Sequence, residues 1–148
     1  MMPGGGALLV KGRCITASME PNLVTDPAIL DVLKELIERE PIFHRPELGT
    51  TRADFERMTE ATFWEVGASG RRYSRQYVLD ELERRYANPA KDDWQARDFH
   101  CLEIAADNYL LTYTLHQGGR LTRRSTIWRR TPEGWKIVYH QGTIVEAG

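Results

Sequence analysis

The stretch NYLLTYTLHQGGRLTRRSTIWRRTPEGWKIVYHQGTIV, residues 108–145, decides the fold class. Its side chains alternate between two faces, and two turn signals interrupt the alternation, Gly118-Gly119 and Pro132-Glu133-Gly134. A run that ends at Ala106-Asp107 has the same period of two. The pattern therefore predicts four strands, over about 97–105, 108–116, 120–130 and 135–145. Because the connections are too short for crossover helices, these strands form an antiparallel meander.

Three helices are expected before the meander. Two predicted starts carry a capping signal, Asp26 before Pro27 and Thr51 with Asp54, and the third helix is expected to begin at Ser74. The first helix has apolar residues at helical spacing and ends by Pro41, and the third runs to about Tyr86. A short strand begins at Phe63, between the second and third helices, and runs into a turn that contains Gly67 and Gly70. Helices first and strands afterwards is the α+β order, in which helices cover one face of one sheet.

Length and charge limit the classes of protein to consider. The chain has 148 residues, with 20 basic and 21 acidic side chains and a formal net charge of −1. This length fits one domain, and the charge removes the main reason to expect nucleic-acid binding, which needs a dense basic face. The two cysteines, Cys14 and Cys101, offer no disulfide framework. No apolar run approaches the roughly 18 residues of a membrane span. We therefore expect a cytoplasmic protein without a nucleic-acid or membrane partner.

The first 24 residues differ from the rest of the chain. They contain Gly4-Gly5-Gly6 and scattered single charges with no sustained period, which is typical of a flexible arm. The apolar stretch from Ala7 to Val10 is too short for a signal peptide. We expect a flexible N-terminal arm over residues 1–24 and a single domain over residues 25–148. A start at Met19 or an added leader would explain the arm equally well.

Alternation assigns strand residues to two faces but does not say which face meets the helices. On the second strand of the meander, the more apolar set is expected to pack on the helices: Tyr109, Leu111, Tyr113 and Leu115. On the fourth strand, one face holds Trp135, Ile137, Tyr139, Gln141 and Thr143. On the third, both faces mix charged and apolar residues: Arg124, Thr126 and Trp128 against Arg123, Ser125 and Ile127. A sheet that is polar on both faces indicates that one face lines a pocket and the other forms an interface.

The order of elements and three local runs resemble a known superfamily. The runs are Phe63 to Gly70, Ile127 to Arg130 and Gly134 to Thr143. Over about residues 27–145, the chain resembles the nuclear transport factor 2-like (NTF2-like) superfamily. The resemblance is greatest to its small bacterial SnoaL-like and calcium/calmodulin-dependent kinase II association-domain-like members. It implies a cystatin-like cone, in which three N-terminal helices pack on a strongly curved antiparallel sheet of about four to six strands. It also implies a deep pocket between helices and sheet, and a homodimer through the outer sheet face.

The resemblance extends to one acidic residue of the ketosteroid isomerases in this superfamily. Glu65 falls where the aspartate base of those enzymes lies, which implies a general base at this position. Two departures count against steroid isomerisation. Thr126 stands at the position of a second, protonated acid, and a threonine hydroxyl donates a weaker hydrogen bond than a carboxylic acid. The isomerase tyrosine of the first helix has no counterpart, since residues 27–40 contain no tyrosine.

The same resemblance turns the Arg124 face of the third strand toward the helices and places nine residues in the pocket. Glu65 and Arg124 are the expected catalytic residues. The expected ligand-binding residues are Trp64, Tyr113, Thr126, Trp128, Tyr139, Gln141 and Thr143. Each has a structural alternative: an ion pair of Glu65 with Arg71 or Arg72, an ion pair of Arg124 with Glu65, a core position for Trp128, and an internal polar network for the others.

The four histidines share no metal-binding spacing, so we expect no metal site. They are His44, His100, His116 and His140. Of these, His140 is expected to face the dimer side of the sheet. No segment matches a phosphate-binding loop, and the expected chemistry needs no cofactor. Cys101 is expected to be a buried apolar residue of a strand.

The sequence therefore predicts a pocket for a small organic molecule that is anionic or carries a carbonyl group. An enzyme of this design would perform cofactor-free isomerase, dehydratase or cyclase chemistry by proton transfer. Glu65 would be the base, and Arg124, Thr126 and Tyr113 would stabilise the developing negative charge. The alternative is a non-catalytic assembly or accessory module that acts through its sheet surface.

Overall fold

The computed structural model of the protein describes residues 19–91 and 93–146. Most of the expected arm lies outside the described residues, as does Cys14. Within the described part, Leu23 and Val24 are exposed, and Thr25 is buried. The hydroxyl of Thr25 accepts a hydrogen bond of 3.1 Å from the backbone N–H of Cys101, which is itself buried. Thr25 therefore joins the N-terminal segment to strand residue Cys101.

Three α-helices occupy the predicted segments. Their bounds are Leu30–Ile37 for α1, Arg52–Arg57 for α2 and Arg75–Ala87 for α3, and 3-10 turns lie over Pro27–Ile29 and Pro46–Leu48. The two predicted caps are confirmed, Asp26 on Ala28 and the Thr51–Asp54 capping box, and Ser74, the expected start of the third helix, caps Tyr77. The helices bury one side, and their most fully buried side chains are Leu36, Phe55, Leu79 and Leu82. Among the described residues, no helix is long and apolar enough to cross a bilayer.

The strands form one curved, unclosed sheet. Their bounds are Thr59–Val66 for β1, Arg72–Ser74 for β2, Trp94–Ala105 for β3, Asn108–Gln117 for β4, Arg120–Thr131 for β5 and Gly134–Ile144 for β6. Their order across the sheet is β2-β1-β6-β5-β4-β3. The meander from β3 to β6 is antiparallel throughout, which confirms the prediction. Only the pairing of β1 with β6 is parallel among the described strands, so the sheet is mixed at this point.

Strands β4 and β5 turn the predicted faces toward the helices. The four expected residues of β4 are all buried: Tyr109, Leu111, Tyr113 and Leu115. On β5, Thr126 and Trp128 are buried and Arg124 is partly buried. Trp128 is 1% exposed, and its indole is part of the core. Alternation alone did not decide which face of β5 meets the helices. The structure shows that it is the face of Arg124, Thr126 and Trp128, as the resemblance implied.

A bulge in β6 reverses its predicted faces beyond Ile137. Trp128 lies opposite Ile137 in the β5–β6 pair, but Ile127 lies opposite Tyr139, so Val138 is an extra residue. After the bulge, the inward and outward alternation of β6 is shifted by one residue. His140 is therefore buried on the helix side. The expected inward orientation of Tyr139, Gln141 and Thr143 is therefore wrong, as is the expected outward orientation of His140. A shift of one residue moves every later side chain to the other face.

Candidate functional site

A cleft of about 720 Å³ opens between the helices and the inner face of the sheet. Its walls come from the segment after α1, the end of α3 with the residues that follow it, and strands β1, β3, β4, β5 and β6. The aromatic part of the lining consists of Phe43, Tyr86, Trp94 and Tyr113, and the charged part of Glu65, Arg85, Lys91, Arg120 and Arg124. This volume and this mixture of aromatic walls with a few polar groups are typical of small-molecule sites.

Arg124 reaches into the cleft from the centre of the sheet. Its Nε donates to the hydroxyl of Thr122 at 2.9 Å, which fixes the base of the guanidinium. Gly142 lies opposite Arg124 on β6, and a Cβ at that position would come 2.7 Å from Nη1. The absence of a side chain there lets the guanidinium lie across the neighbouring strand. Burial lowers the pKa of Arg124 from its usual value without making it neutral.

Glu65 lines the same cleft from β1. Burial raises the pKa of this carboxyl group, and the charges of Arg124 and Arg85 act in the opposite direction. No salt bridge joins Glu65 to Arg124, Arg71 or Arg72 in the described part of the chain. The structure therefore brings the two expected catalytic residues into one cleft, coupled by their charges and without direct contact.

Beneath the cleft, Glu40 is a fully buried carboxyl group that accepts hydrogen bonds from Tyr113, Ile42 and Trp128. Its Oε1 accepts from the hydroxyl of Tyr113 at 2.6 Å and from the backbone N–H of Ile42 at 3.0 Å. Its Oε2 accepts from the indole N–H of Trp128 at 2.9 Å. Burial raises the pKa of Glu40, and these hydrogen bonds oppose that rise. Tyr113 stays protonated because burial and the nearby Glu40 raise its pKa well above the usual value.

His140 lies on β6, directly beside Glu65 of the adjacent strand β1. Its Nδ1 is 2.7 Å from the hydroxyl of Thr126, and the same threonine side chain interacts with Glu40 and lowers the pKa of that carboxyl group. Burial, together with the charge of Arg124, lowers the pKa of His140 to about 3. The imidazole is therefore neutral at physiological pH, and its ring forms part of the cleft lining.

Of the nine expected site residues, three line the cleft, two lie under it and four lie elsewhere. Glu65, Tyr113 and Arg124 line it, and Thr126 and Trp128 are buried beneath it. The four on the outer face are Trp64, Tyr139, Gln141 and Thr143. There Trp64 is 42% exposed and its ring packs against that of Tyr139 at 4.9 Å between centroids. The hydroxyl of Tyr139 donates to Gln141 at 2.6 Å, so these residues form a cluster of their own.

Two residues of the site could not be found by sequence reasoning. Glu40 follows Glu38 and Arg39 in the chain and has the pattern of an exposed helix end. His140 has the wrong parity for the inner face unless the bulge at Val138 is known. Among the described residues, no group of three His, Cys, Asp or Glu side chains is placed to hold a metal ion.

No protein-family model matches the sequence, and a search of curated proteins finds no relative. Solved structures, in contrast, match over most of their length. A cystatin-like fold protein from Burkholderia xenovorans LB400 has a TM-score of 0.62 at 16% identity, covering 83% of this chain and 96% of its own. An NTF2-like protein of unknown function in nutrient uptake from Rhodospirillum rubrum ATCC 11170 has a TM-score of 0.55 at 17% identity, covering 82% and 99%.

A third similar structure is a candidate ketosteroid isomerase from Parabacteroides distasonis ATCC 8503. Its TM-score is 0.57 at 14% identity, and the match covers 84% of this chain and 96% of that one. Likeness at this level of identity concerns the backbone and carries no activity with it. The protein therefore has a cystatin-like fold, similar to that of these NTF2-like proteins.

Proposed function

We propose that the cleft binds a small organic anion, with Arg124 as its anchor. The observation that carries this proposal is the charge of the lining. Among the described lining residues, the cationic side chains are Arg85, Lys91, Arg120 and Arg124, and Glu65 is the one carboxylate. A carboxylate or an enolate oxygen would offset this excess, whereas a cation would add to it.

Arg124 is the best placed of the four cations. It is partly buried, and no carboxylate forms a salt bridge with it among the described residues. Among the described residues, only Thr122 forms a hydrogen bond with this side chain, at Nε, which leaves the terminal N–H groups for a ligand. A guanidinium can hold a carboxylate through two parallel hydrogen bonds, and partial burial strengthens such a contact.

Proton transfer is the chemistry that this cleft supports. Glu65 has a pKa raised by burial, which brings a carboxylate base nearer to neutral pH. Tyr113 and Thr126 were expected to stabilise negative charge, but the hydroxyl of Tyr113 donates to Glu40 and that of Thr126 lies against His140. Arg124 is therefore the donor that would stabilise an enolate formed from a carbonyl-bearing ligand. A base and a donor to the enolate, here Glu65 and Arg124, are what the proton-transfer step of isomerase, dehydratase or cyclase chemistry requires.

A panel of small carboxylates and their amides tests this proposal, beginning with benzoate and benzamide. Isothermal titration calorimetry on the full chain should show binding of carboxylates and weaker binding of the amides. Arg124→Gln should weaken benzoate binding by about 10- to 100-fold, since a hydrogen bond to a charged group contributes about 1.5–3 kcal/mol. Arg123→Gln is the matched control, because Arg123 bonds to Thr114 outside the cleft. Equal affinity for benzoate and benzamide, or for Arg124→Gln and wild type, would contradict the proposal.

A second candidate function is self-association through the outer face of the sheet. One row of apolar residues crosses five strands, each directly opposite the next: Leu102, Leu110, Ile127, Tyr139 and Trp64. The two ends of the row are well exposed, Leu102 at 50% and Trp64 at 42%. A continuous apolar row of this kind is more typical of an interface than of a solvated surface. We propose a second copy of the chain as its partner.

A further inference from the structure

Three side chains, Glu40, Thr126 and His140, connect the interior of the protein to the cleft. We propose that they form a proton relay in which His140 exchanges a proton with the ligand at Nε2 and Glu40 stores that proton. The relay rests on the proposed function only for the presence of a ligand in the cleft. Its own geometry is independent of Arg124 and of the nature of the ligand.

The three side chains of the relay are shielded from solvent. Glu40 and Thr126 are both 0% exposed, and His140 is 3% exposed. The Thr126 hydroxyl lies 2.7 Å from Nδ1 of His140, and the same side chain interacts with the Glu40 carboxyl group and lowers its pKa. Thr126 therefore links the acid to the imidazole.

The second nitrogen of His140 faces the cleft. Nε2 forms no hydrogen bond with the described residues, and none of their buried side-chain nitrogens and oxygens lacks a partner. Nε2 must therefore reach the solvent in the cleft, whose lining includes His140. A ligand proton can be taken up or released at this atom, because the Nδ1 side of the ring is closed by Thr126.

The single proton of the Thr126 hydroxyl gives the relay two ordered states. When Glu40 is ionised, Thr126 donates to Glu40 and Nδ1–H donates to Thr126, so Nε2 carries a lone pair. When Glu40 is protonated, it donates to Thr126, Thr126 donates to Nδ1, and Nε2 carries the proton. The charge of Glu40 thus decides whether His140 presents a base or an acid to the cleft.

The surroundings favour Glu40 over His140 as the place where the proton rests. The charged and titratable groups near His140 are Arg124 of β5, Glu65 of β1, and His44 of the segment after α1. Burial and the charge of Arg124 disfavour the imidazolium, while burial raises the pKa of Glu40. Passing the proton inward avoids a cation beside Arg124 and neutralises a buried carboxylate.

The proposed transfer balances without any co-reactant. An O–H or C–H bond of the ligand breaks as N–H forms at Nε2, and its electron pair stays on the ligand as an enolate next to Arg124. Nδ1–H breaks as a new O–H bond forms on Thr126, and the former Thr126 proton forms the O–H bond of Glu40. The imidazole and the hydroxyl end neutral, and the reverse sequence returns the proton to the ligand. Glu65, beside His140, could then deliver or remove the second proton of an isomerisation.

The tautomer of His140 in the full chain, without ligand, tests the relay. Long-range ¹H–¹⁵N NMR correlations distinguish Nδ1–H from Nε2–H, and they would be followed over the whole pH range in which the protein stays folded. We expect Nε2–H at the acidic end and Nδ1–H once Glu40 has ionised. Glu40→Gln should hold the Nε2–H form at every pH, because the amide N–H₂ replaces the carboxylic acid as donor to Thr126.

Two variants of Thr126 separate the relay from a structural effect. Thr126→Val keeps the side-chain shape and removes the hydroxyl, so the tautomer should no longer follow the charge of Glu40. Thr126→Ser keeps the hydroxyl and should retain the switch. One tautomer in wild type across the whole pH range, or an unchanged switch in Thr126→Val, would overturn the relay. If the His140 tautomer changes with pH but the protein does not bind benzoate, the relay is supported and only the proposed anion site is refuted.

Discussion

The guanidinium of Arg124 lies directly against the backbone of Gly142 on the neighbouring strand. The two residues are opposite one another in the β5–β6 pair, and a Cβ on Gly142 would lie 2.7 Å from Nη1 and 2.8 Å from Cζ of Arg124. Gly142 has no positive φ angle that would itself require glycine. Its role is to leave room for the arginine, and so it positions the anchor of the cleft.

Gly142→Ala should move Arg124 without unfolding the protein. The new methyl group meets the end of a flexible side chain, which can turn away, so we expect the melting temperature to fall by only a few degrees. Displacement of the guanidinium should weaken benzoate binding by about tenfold, equal to about 1.4 kcal/mol. Calorimetry on the variant measures the loss.

A double-mutant cycle shows whether this loss acts through Arg124. In an Arg124→Gln background, Gly142→Ala should have no further effect on benzoate affinity, because the displaced group is already gone. Additive losses from the two substitutions would mean that Gly142 affects binding by another route.

Removal of the Arg124 charge should raise the pKa of Glu65. Burial raises this pKa in the native protein and Arg124 opposes the rise, so Arg124→Gln leaves the effect of burial less opposed. The pH dependence of the ¹³C chemical shift of the Glu65 carboxyl group reports the change. Arg123→Gln alters the adjacent arginine, which lies outside the cleft lining, and should leave the pKa of Glu65 unchanged. A titration of Glu65 that moves to lower pH in Arg124→Gln would contradict this coupling.

Tyr113→Phe should destabilise the protein more at high pH than at low pH. The hydroxyl of Tyr113 donates to Glu40 and lowers a pKa that burial has raised. Because the folded pKa of Glu40 lies above its unfolded value, stability falls as pH rises from the unfolded pKa through the folded one. Loss of the Tyr113 donor raises the folded pKa of Glu40 further, so stability falls over a wider pH range. At pH values above this folded pKa, we expect the free energy of unfolding to be lower than in wild type by about 1–3 kcal/mol.

The matched control for Tyr113→Phe is Tyr109→Phe on the same strand. Tyr109 is also buried on the helix side, and its ring packs against Trp135, away from Glu40. Urea unfolding of both variants at several pH values measures the difference. A loss of stability in Tyr113→Phe that is equal at all pH values would refute the role of the hydroxyl in holding the Glu40 charge.

The sequence was sufficient for the meander and the helix caps because both are local. Turn residues mark the ends of the strands, and Thr51 with Asp54 or Ser74 alone determines where a helix begins. Alternation, together with the resemblance, also placed Arg124 and Trp128 on the inner face. The prediction was correct because β4 and β5 pair regularly, with no bulge, so residues two apart stay on the same face.

The rest of the site depends on contacts between distant residues. Glu40 is buried only because Tyr113 and Trp128, 73 and 88 residues further along the chain, supply donors to it. The bulge at Val138 depends on how β6 pairs with β5, and nothing in the local sequence marks it. One unpredicted bulge in a strand was therefore enough to place His140 in the cleft, where Tyr139 had been expected.

Charge placed at the centre of the apolar row should prevent self-association. Ile127 occupies the middle of that row, with Leu110 on one side and Tyr139 on the other. Ile127→Lys would bury an unpaired ammonium group in the proposed interface, and we expect the dissociation constant of the dimer to rise by about 30-fold or more. Glu133→Lys adds positive charge at an exposed turn away from the row and should leave association unchanged. Sedimentation velocity over a range of concentrations compares the two variants. A wild-type chain that stays monomeric at micromolar concentration would refute the interface, and the cleft would then act within a single copy.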